Sequence, residues 1–194
     1  ILVSDVPNGS SIGKGKDYGV YYYKTPTPGS KNGNGDIAMS SMPTSSVSGG
    51  VFNNKDEIEV TLTGSGKIYY TLDGSTPTVS SKIYSSPLTI KKTTVLRIMN
   101  KEDGKLESET KTYSYIMNEN HKIAVMSLSI DNKKLNNVNN HTSLNSSVIE
   151  QTNVEFYDTD GNSFEVGAGL KLFGGSTRSY KKKSYEIKFK KEFG

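Results

Sequence analysis

The sequence predicts an all-β fold: a sandwich of short strands with partial β modules on either side. Three observations predict it. Apolar residues alternate with polar ones in runs such as Ile58, Val60, Leu62 and Ile68, Tyr70, Leu72, the period of a strand with one buried face. Turn signals of the Gly-Ser-Gly, Asp-Gly and Glu-Asp-Gly type recur between these runs, at the spacing of a sandwich. Finally, no long segment places apolar residues at helical spacing; only 32% of the 194 residues are hydrophobic, mean hydropathy is −0.56, and 12 residues are Tyr and 19 Gly. Such a composition suits thin sheet layers covered by Tyr and β-branched residues.

Residues 1–36 begin with a short apolar stretch and a Gly/Ser/Lys run, followed by YGVYYYKTPTPGSKNGNG. Tyr18, Val20 and Tyr22 alternate with Gly19, Tyr21 and Tyr23 and predict one strand. Pro26 and Pro28 fix φ and the glycines permit left-handed turns, so the strand stops there. Residues 37–50 read as a linker merging into an edge strand. Residues 51–117 hold about seven short strands, the count of an immunoglobulin-like sandwich. Within them YYTLDGSTPT (69–78) predicts a hairpin turn at Asp73-Gly74, with Tyr70 or Leu72 packed inside. SETKTYSYI closes the set, with Tyr113 and Tyr115 on one face.

Residues 118–194 open with a strand in which Met126, Leu128 and Ile130 alternate with Ser127 and Ser129 and form its buried side. The polar run DNKKLNNVNNHTSLNSS is expected to hold a short helical turn or a loop. VEFYDTDGNSFEV predicts a second hairpin, and KSYEIKFKK a strand with Tyr185, Ile187 and Phe189 on one face.

Charge and cysteine count narrow the function classes. The net charge of +4 is spread along the chain except near its C-terminal end, whereas nucleic-acid binding calls for a dense basic face. No apolar run approaches the length of a membrane span, so neither nucleic acid nor membrane insertion is expected. Cysteine is absent, which excludes a Cys nucleophile and disfavours a disulfide-built secreted scaffold or a thiolate metal site. A Cys-free, Lys- and Asn-rich β chain suits the outside of a Gram-positive bacterium. The start on ILVSDVP without Met and the stop on FKKEFG are expected of cuts through a longer polypeptide, whose remainder would be the first partner.

The run GGVFNNKDEIEVTLTGSGKIYYTLDGSTPTVSSKIYSSPLTI resembles the chitobiase/β-hexosaminidase C-terminal-type domain: a Gly-x-Phe start, an apolar strand, IYYTLDGS-PT, then S--Y--P--I. The resemblance covers about residues 49–116 and implies a small, non-catalytic immunoglobulin-like sandwich appended to enzymes and surface proteins. VSDVPNGSSIGKGKDYGVYYYKTPTPGSKNGNG resembles the end of a bacterial lamin-tail domain, whose Thr-Pro-Gly-x-x-Asn closure is matched by Thr27, Pro28, Gly29 and Asn32. Downstream of residue 121, IAVMSLSID and NVEFYDTDGNSFEVGAGLKLFGGSTRSYKKKSYEIKF resemble the start of spore-coat-protein-H-type (CotH) kinase domains, without the later acidic segment that holds metal and phosphates in that family. The resulting organisation is 1–36 lamin-tail-like end and linker, 37–117 chitobiase-C-terminal-like sandwich, and 118–194 the first part of a CotH-like domain.

Candidate chemistry concentrates in GGSTRSYKKKSY. Glycines followed by Ser and Arg can offer backbone N–H groups and a cation to a phosphate. The resemblance implies a nucleotide contact by Gly174, Gly175, Ser176, Arg178 and one lysine of Lys181, Lys182 and Lys183, with Lys183 the best match before Ser-Tyr. ATP and Mg²⁺ would then belong to an intact CotH-like parent, with no cofactor in this chain. The spacing is not that of a Walker loop, and the residues alone also read as a β-turn and a solvated basic strand end. DTDGN (158–162) starts like a calcium loop, but Glu165 comes too early for the bidentate ligand, so a hairpin turn is expected. His121 and His141 have no ligand-spaced partners and read as surface residues, so no metal site is expected. No G-x-S-x-G elbow exists, and no catalytic residue is assigned. Tyr69 and Tyr113 are candidates for stacking on cell-wall or extracellular glycan, although alternating Tyr in a thin sandwich also serves core and cross-strand packing. The sequons at Asn8, Asn140 and Asn145 carry little weight in a bacterial chain.

The function this reading supports is a non-catalytic spacer of a multidomain bacterial surface protein with weak carbohydrate contact. The alternatives are the N-terminal part of a CotH-like protein kinase and a carbohydrate-binding module.

Overall fold

A computed structural model describes residue 6 and residues 9–193. The Asn8 sequon and residues 3–5, 7 and 8 of the lamin-tail-like stretch lie outside them. The regular structure of the described residues is mostly β, with one α-helix and one 3-10 turn.

The N-terminal stretch forms a hairpin of β1 (Ser11–Lys14) and β2 (Val20–Tyr23). The strand expected from Tyr18 begins at Val20 instead. Tyr18 has φ +64° and sits in the turn, where Asp17 accepts the Gly19 N–H at 3.1 Å and the Tyr21 hydroxyl at 2.6 Å. Thr27 Oγ1 donates to Asn32 Oδ1 at 2.6 Å, and Asn32 Nδ2 donates to the Lys14 carbonyl at 2.9 Å, so the Thr-Pro-Gly-x-x-Asn segment folds back on β1.

The central unit is an immunoglobulin-like sandwich. Its strands are β3 (Thr44–Ser45), β4 (Gly50–Phe52), β5 (Ile58–Val60), β6 (Leu62–Thr63), β7 (Lys67–Thr71), β8 (Lys82–Ile83), β9 (Leu88–Ile90), β10 (Thr94–Lys101) and β11 (Lys111–Met117). One sheet has the order β4-β11-β10-β7-β8, with β4 parallel to β11. Facing it, β3 pairs β6 and β5 pairs β9. Thr61, between β5 and β6, exchanges hydrogen bonds with Ser46, so these pairs form one continuous layer. Val60, Leu62, Ile68, Ile90, Leu96, Ile98, Tyr115 and Met117 fill the space between the layers. Burying such side chains is worth about 1.5–3 kcal/mol each.

Asp73-Gly74 is a turn but not a two-residue hairpin. Asp73 Oδ1 accepts the Ser75 N–H at 3.0 Å, Gly74 takes φ +78°, and Asp73 bridges Val95 in parallel. The antiparallel partner β8 arrives only after a second turn at Thr78–Ser81. Of the two residues expected inside, Tyr70 packs against the core while Leu72 is exposed.

The C-terminal unit is an antiparallel sheet in the order β12 (Val125–Ser129), β13 (Glu150–Tyr157), β14 (Ser163–Phe173) and β15 (Ser184–Lys188). The polar run yields a helix, α1 (Asn132–Asn140), capped by Asp131, whose carboxylate accepts the Lys133 N–H at 2.8 Å, as Asp does at N-caps. Val138 on α1 is buried over β13 and β14, and Val154, Ala168, Leu170 and Leu172 are buried in the sheet. The β13–β14 hairpin turns at DTDGN, as expected, with Gly161 at φ +84°. On β12 the expected burial is inverted: Met126 and Leu128 are exposed and Ser129 is 4% exposed. The serine face is covered because it lies on the side of the sheet that meets the sandwich.

Candidate functional site

The outer face of the sandwich is polar where β11 passes under the C-terminal sheet. Thr112 and Ser114 are buried there, although neither belongs to the apolar core. Opposite them, Glu155 of β13 is 3% exposed. Its carboxylate accepts the Ser114 N–H at 2.9 Å, the Ser114 hydroxyl, and the Tyr157 hydroxyl at 2.7 Å. Ser114 Oγ also shares a hydrogen bond of 2.7 Å with Ser127 Oγ of β12. Burial, and then the hydrogen bond to Glu155, push the Tyr157 hydroxyl far above the ordinary tyrosine range. A buried carboxylate is tolerated only with donors arranged around it, and here both units supply them. Lys111 of β11 adds an ion pair with Glu165 of β14. Gly49 closes the joint: a Cβ there would run into the Tyr157 hydroxyl and come within 3.0 Å of Glu155 Oε1.

The N-terminal hairpin is tied to the same sandwich. Residues 37–40 run beside residues 104–106, with Leu106 N–H donating to Ala38 and Ser40 N–H to Leu106, both at 2.8 Å. Lys24 pairs with Glu107 at 2.9 Å. Where hairpin, sandwich and C-terminal sheet come together they leave a cleft of about 740 Å³, within the roughly 300–1,000 Å³ of small-ligand sites. Arg97 of β10 lines it, as do Ser129 of β12 and Asn153 of β13.

The residues expected around a phosphate come together but are otherwise engaged. Ser176–Ser179 form a 3-10 turn with Gly175 as its N-cap. Gly174 has φ +106°. Arg178 is buried: its Nε donates to the Gly174 carbonyl at 2.6 Å and its Nη1 to the Ser143 carbonyl at 2.8 Å. Lys183 Nζ donates to the Arg178 carbonyl at 2.5 Å. The arrangement pins the loop after α1 to the β14–β15 connection. Tyr69 and Tyr113 do not meet. Tyr113 lies against the core, stacked on Tyr115 at 6.5 Å between ring centroids, while Tyr69 is buried on the opposite face of the sheet, opposite Met99. His121 and His141 are exposed. Among the described residues no group of three His, Cys, Asp or Glu side chains is placed to hold a metal ion, and no helix is long and apolar enough to cross a membrane.

Sequence reasoning passed over Glu155, Arg97, Ser129 and Asn153. The available signal was the kind of polar residue at alternate strand positions. Ser127, Ser129, Asn153 and Glu155, facing Thr112 and Ser114, are mostly short hydrogen-bonding residues rather than the Lys-rich pattern of a solvated face.

Residues 47–112 match the family model of the chitobiase/β-hexosaminidase C-terminal domain. The matched stretch runs from the loop before β4 into β11, about a third of the chain, so the central β-sandwich is similar to that domain. Neither the curated proteins nor the solved structures gave a match.

Proposed function

We infer that the chain is a non-catalytic structural spacer of a multidomain protein working at the outside of a bacterial cell, in contact with carbohydrate, and that it holds the parts on either side of its sandwich at a fixed orientation. The observation that carries this reading is the buried Glu155 joint, which ties β13 to β11 through the two hydrogen bonds that Glu155 accepts from Ser114. Units that swing freely are joined by exposed, flexible linkers, and a buried carboxylate shared by two sheets is the reverse of that. The carbohydrate part is supported by the match of residues 47–112 to a domain named for chitobiase and β-hexosaminidase. The Cys-free, Lys- and Asn-rich composition supports a Gram-positive cell surface. On the same reading residues 1–36 close a lamin-tail-type module, supported by the Thr27–Asn32 hydrogen bond, and residues 118–194 open a CotH-type domain, supported by the β13–β14 hairpin and the turn at Gly174–Arg178.

The absence of cysteine makes the test direct. Spin labels at Ser80→Cys in the sandwich and Lys181→Cys in the C-terminal unit, both exposed positions, are expected to give one narrow distance distribution that broadens in Glu155→Ala. A broad distribution in the parent chain would refute the fixed spacer. Incubation with labelled ATP, Mg²⁺ or Mn²⁺ and a Ser-rich acidic protein tests the kinase alternative. No label is expected, because Arg178 and Lys183 are already spent on carbonyl oxygens. Incorporation above that of an Arg178→Ala, Lys183→Ala control would favour the kinase.

A further inference from the structure

Three buried polar atoms left without a partner among the described residues belong to residues that line one cleft. Arg97 Nε, Ser129 Oγ and Asn153 Nδ2 are buried and find no hydrogen-bond partner among the described residues, and all three residues line the space between the hairpin, the sandwich and the C-terminal sheet. Ser129 is only 4% exposed. It stands directly opposite Asn153 in the β12–β13 register, so both side chains lie on the sheet face that meets the sandwich. Arg97 sits in the middle of β10 between Thr71 and Thr112. Its Nη1 donates to the Gly74 carbonyl at 3.2 Å and to Thr76 Oγ1 at 3.0 Å, and among the described residues it forms no ion pair. Orphaned buried groups are rare and costly. Three around a single cleft mark a place built to receive polar atoms.

We propose that this cleft binds a short neutral oligosaccharide, whose hydroxyl groups engage Arg97, Ser129 and Asn153. The proposal rests on the carbohydrate part of the function inferred above and gives it a location. Charge selects the ligand class. Lys24 is paired with Glu107 and Lys111 with Glu165, and the remaining charged residues of the lining, Arg97 and Lys134 against Glu109 and Asp131, also balance. A neutral lining has no net pull on a phosphate or a polyanion. The unpartnered set mixes N–H donors with a hydroxyl that both donates and accepts, the complement of a sugar's hydroxyls. The tyrosines that first suggested glycan contact take no part: Tyr69 and Tyr113 are absent from the lining.

Arg97 and Arg178 are the only arginines of the chain, so the Nε–H signals of the ¹⁵N-labelled full chain are two. Arg178 Nε is hydrogen-bonded within the fold and Arg97 Nε is not, which makes one a reporter and the other an internal control. Titration with tri-N-acetylchitotriose and cellotriose is expected to move the Arg97 signal saturably for at least one of them and leave Arg178 in place. Ser129→Ala and Asn153→Ala, each shown by its urea midpoint to be folded, are expected to weaken that binding about tenfold, the loss of one hydrogen bond to a sugar. Three results would overturn the proposal: no shift with either neutral probe, a shift only with trigalacturonic acid, or binding unchanged in both variants. An overturned cleft with a narrow spin-label distance would leave the spacer standing, and a broad distance with intact binding would do the opposite.

Discussion

The Glu155 carboxylate accepts the backbone N–H of Ser114 across the boundary between the two sheets, at 2.9 Å. The position of that N–H explains why. β4 begins its parallel pairing with β11 one residue later, at Gly50 opposite Tyr115, so beyond the end of β4 the edge of β11 offers a donor with no strand to take it. An unpaired buried N–H is costly, and Glu155 supplies the acceptor from the neighbouring unit. The sandwich thus leaves one backbone group unsatisfied where the C-terminal sheet docks.

Removing that acceptor is expected to destabilise the chain. Glu155→Ala leaves the Ser114 N–H buried without its acceptor and the Tyr157 hydroxyl only its 3.3 Å bond to the Ser114 carbonyl, and should cost about 1–3 kcal/mol. Glu155→Gln keeps one acceptor oxygen and should cost less. Urea unfolding measures both, and an alanine variant that unfolds at the parent's midpoint would mean that water takes the carboxylate's place.

Two neighbouring glycines separate the joint from the strand beside it. At Gly49 an added methyl collides with Tyr157 and crowds the Ser114 N–H at 3.1 Å, whereas at Gly50 its nearest neighbour is the Phe52 ring at 3.5 Å. Gly49→Ala should therefore cost about 1–3 kcal/mol, the range for overpacking, and Gly50→Ala should cost clearly less. Thermal melts of the two variants side by side decide it; equal losses would count against the close approach of β13.

Gly74 isolates a backbone effect. Its φ of +78° lies in the left-handed region, yet a Cβ there would meet only Val95 at an ordinary 3.7 Å. Any cost of substitution is then conformational. Gly74→Val should lose about 1 kcal/mol or more, and Gly74→Asn less, since Asn tolerates positive φ far better than a β-branched residue. The same turn presents the carbonyl that Arg97 uses, so the Val variant should also shift the Arg97 Nε–H signal.

The sandwich was legible in the sequence because its strands obey the period of two and face an apolar core: Ile68 and Tyr70, Leu96 and Ile98, Tyr113 and Tyr115 all point inward. The C-terminal strand β12 was misread for the same reason. Met126 and Leu128 look like a buried face, but the sheet docks on its serine side, and alternation alone does not say which face another unit will cover. The helix α1 was legible only as a helical turn or a loop, since eight of its nine residues are Asn, Lys or Leu and Val138 is its sole buried residue. The cleft was invisible because Arg97, Ser129 and Asn153 are brought together by the docking of separate units, and no local motif encodes that.

Alkaline pH should unfold the sandwich through Tyr115. Its side chain is fully buried, its hydroxyl donates to the Val47 carbonyl at 3.0 Å and it shares a 2.9 Å hydrogen bond with Ser45 Oγ. Burial pushes it up from 10.0 to about 12, against the Ser45 hydrogen bond and helped by the neighbouring Tyr113 and Glu155. The folded state therefore holds its proton more tightly than the unfolded chain does. With the folded value raised, the stabilisation is complete below pH 10.0 and is lost as pH rises through about 12, because the unfolded tyrosine ionises first. The linkage amounts to about 2–3 kcal/mol for two pH units. Tyr157, raised further by burial and by Glu155, pulls in the same direction at the joint. Tyrosinate absorbance and circular dichroism followed together between pH 9 and 12.5 should show most of the 12 tyrosines ionising gradually, and the last ones only as the strand signal collapses. Tyr115→Phe should flatten the fall in urea midpoint above pH 10. If every tyrosine ionised while the strand signal stayed intact, Tyr115 would have to be open to solvent, and the packing of the sandwich core described above would be wrong at its centre.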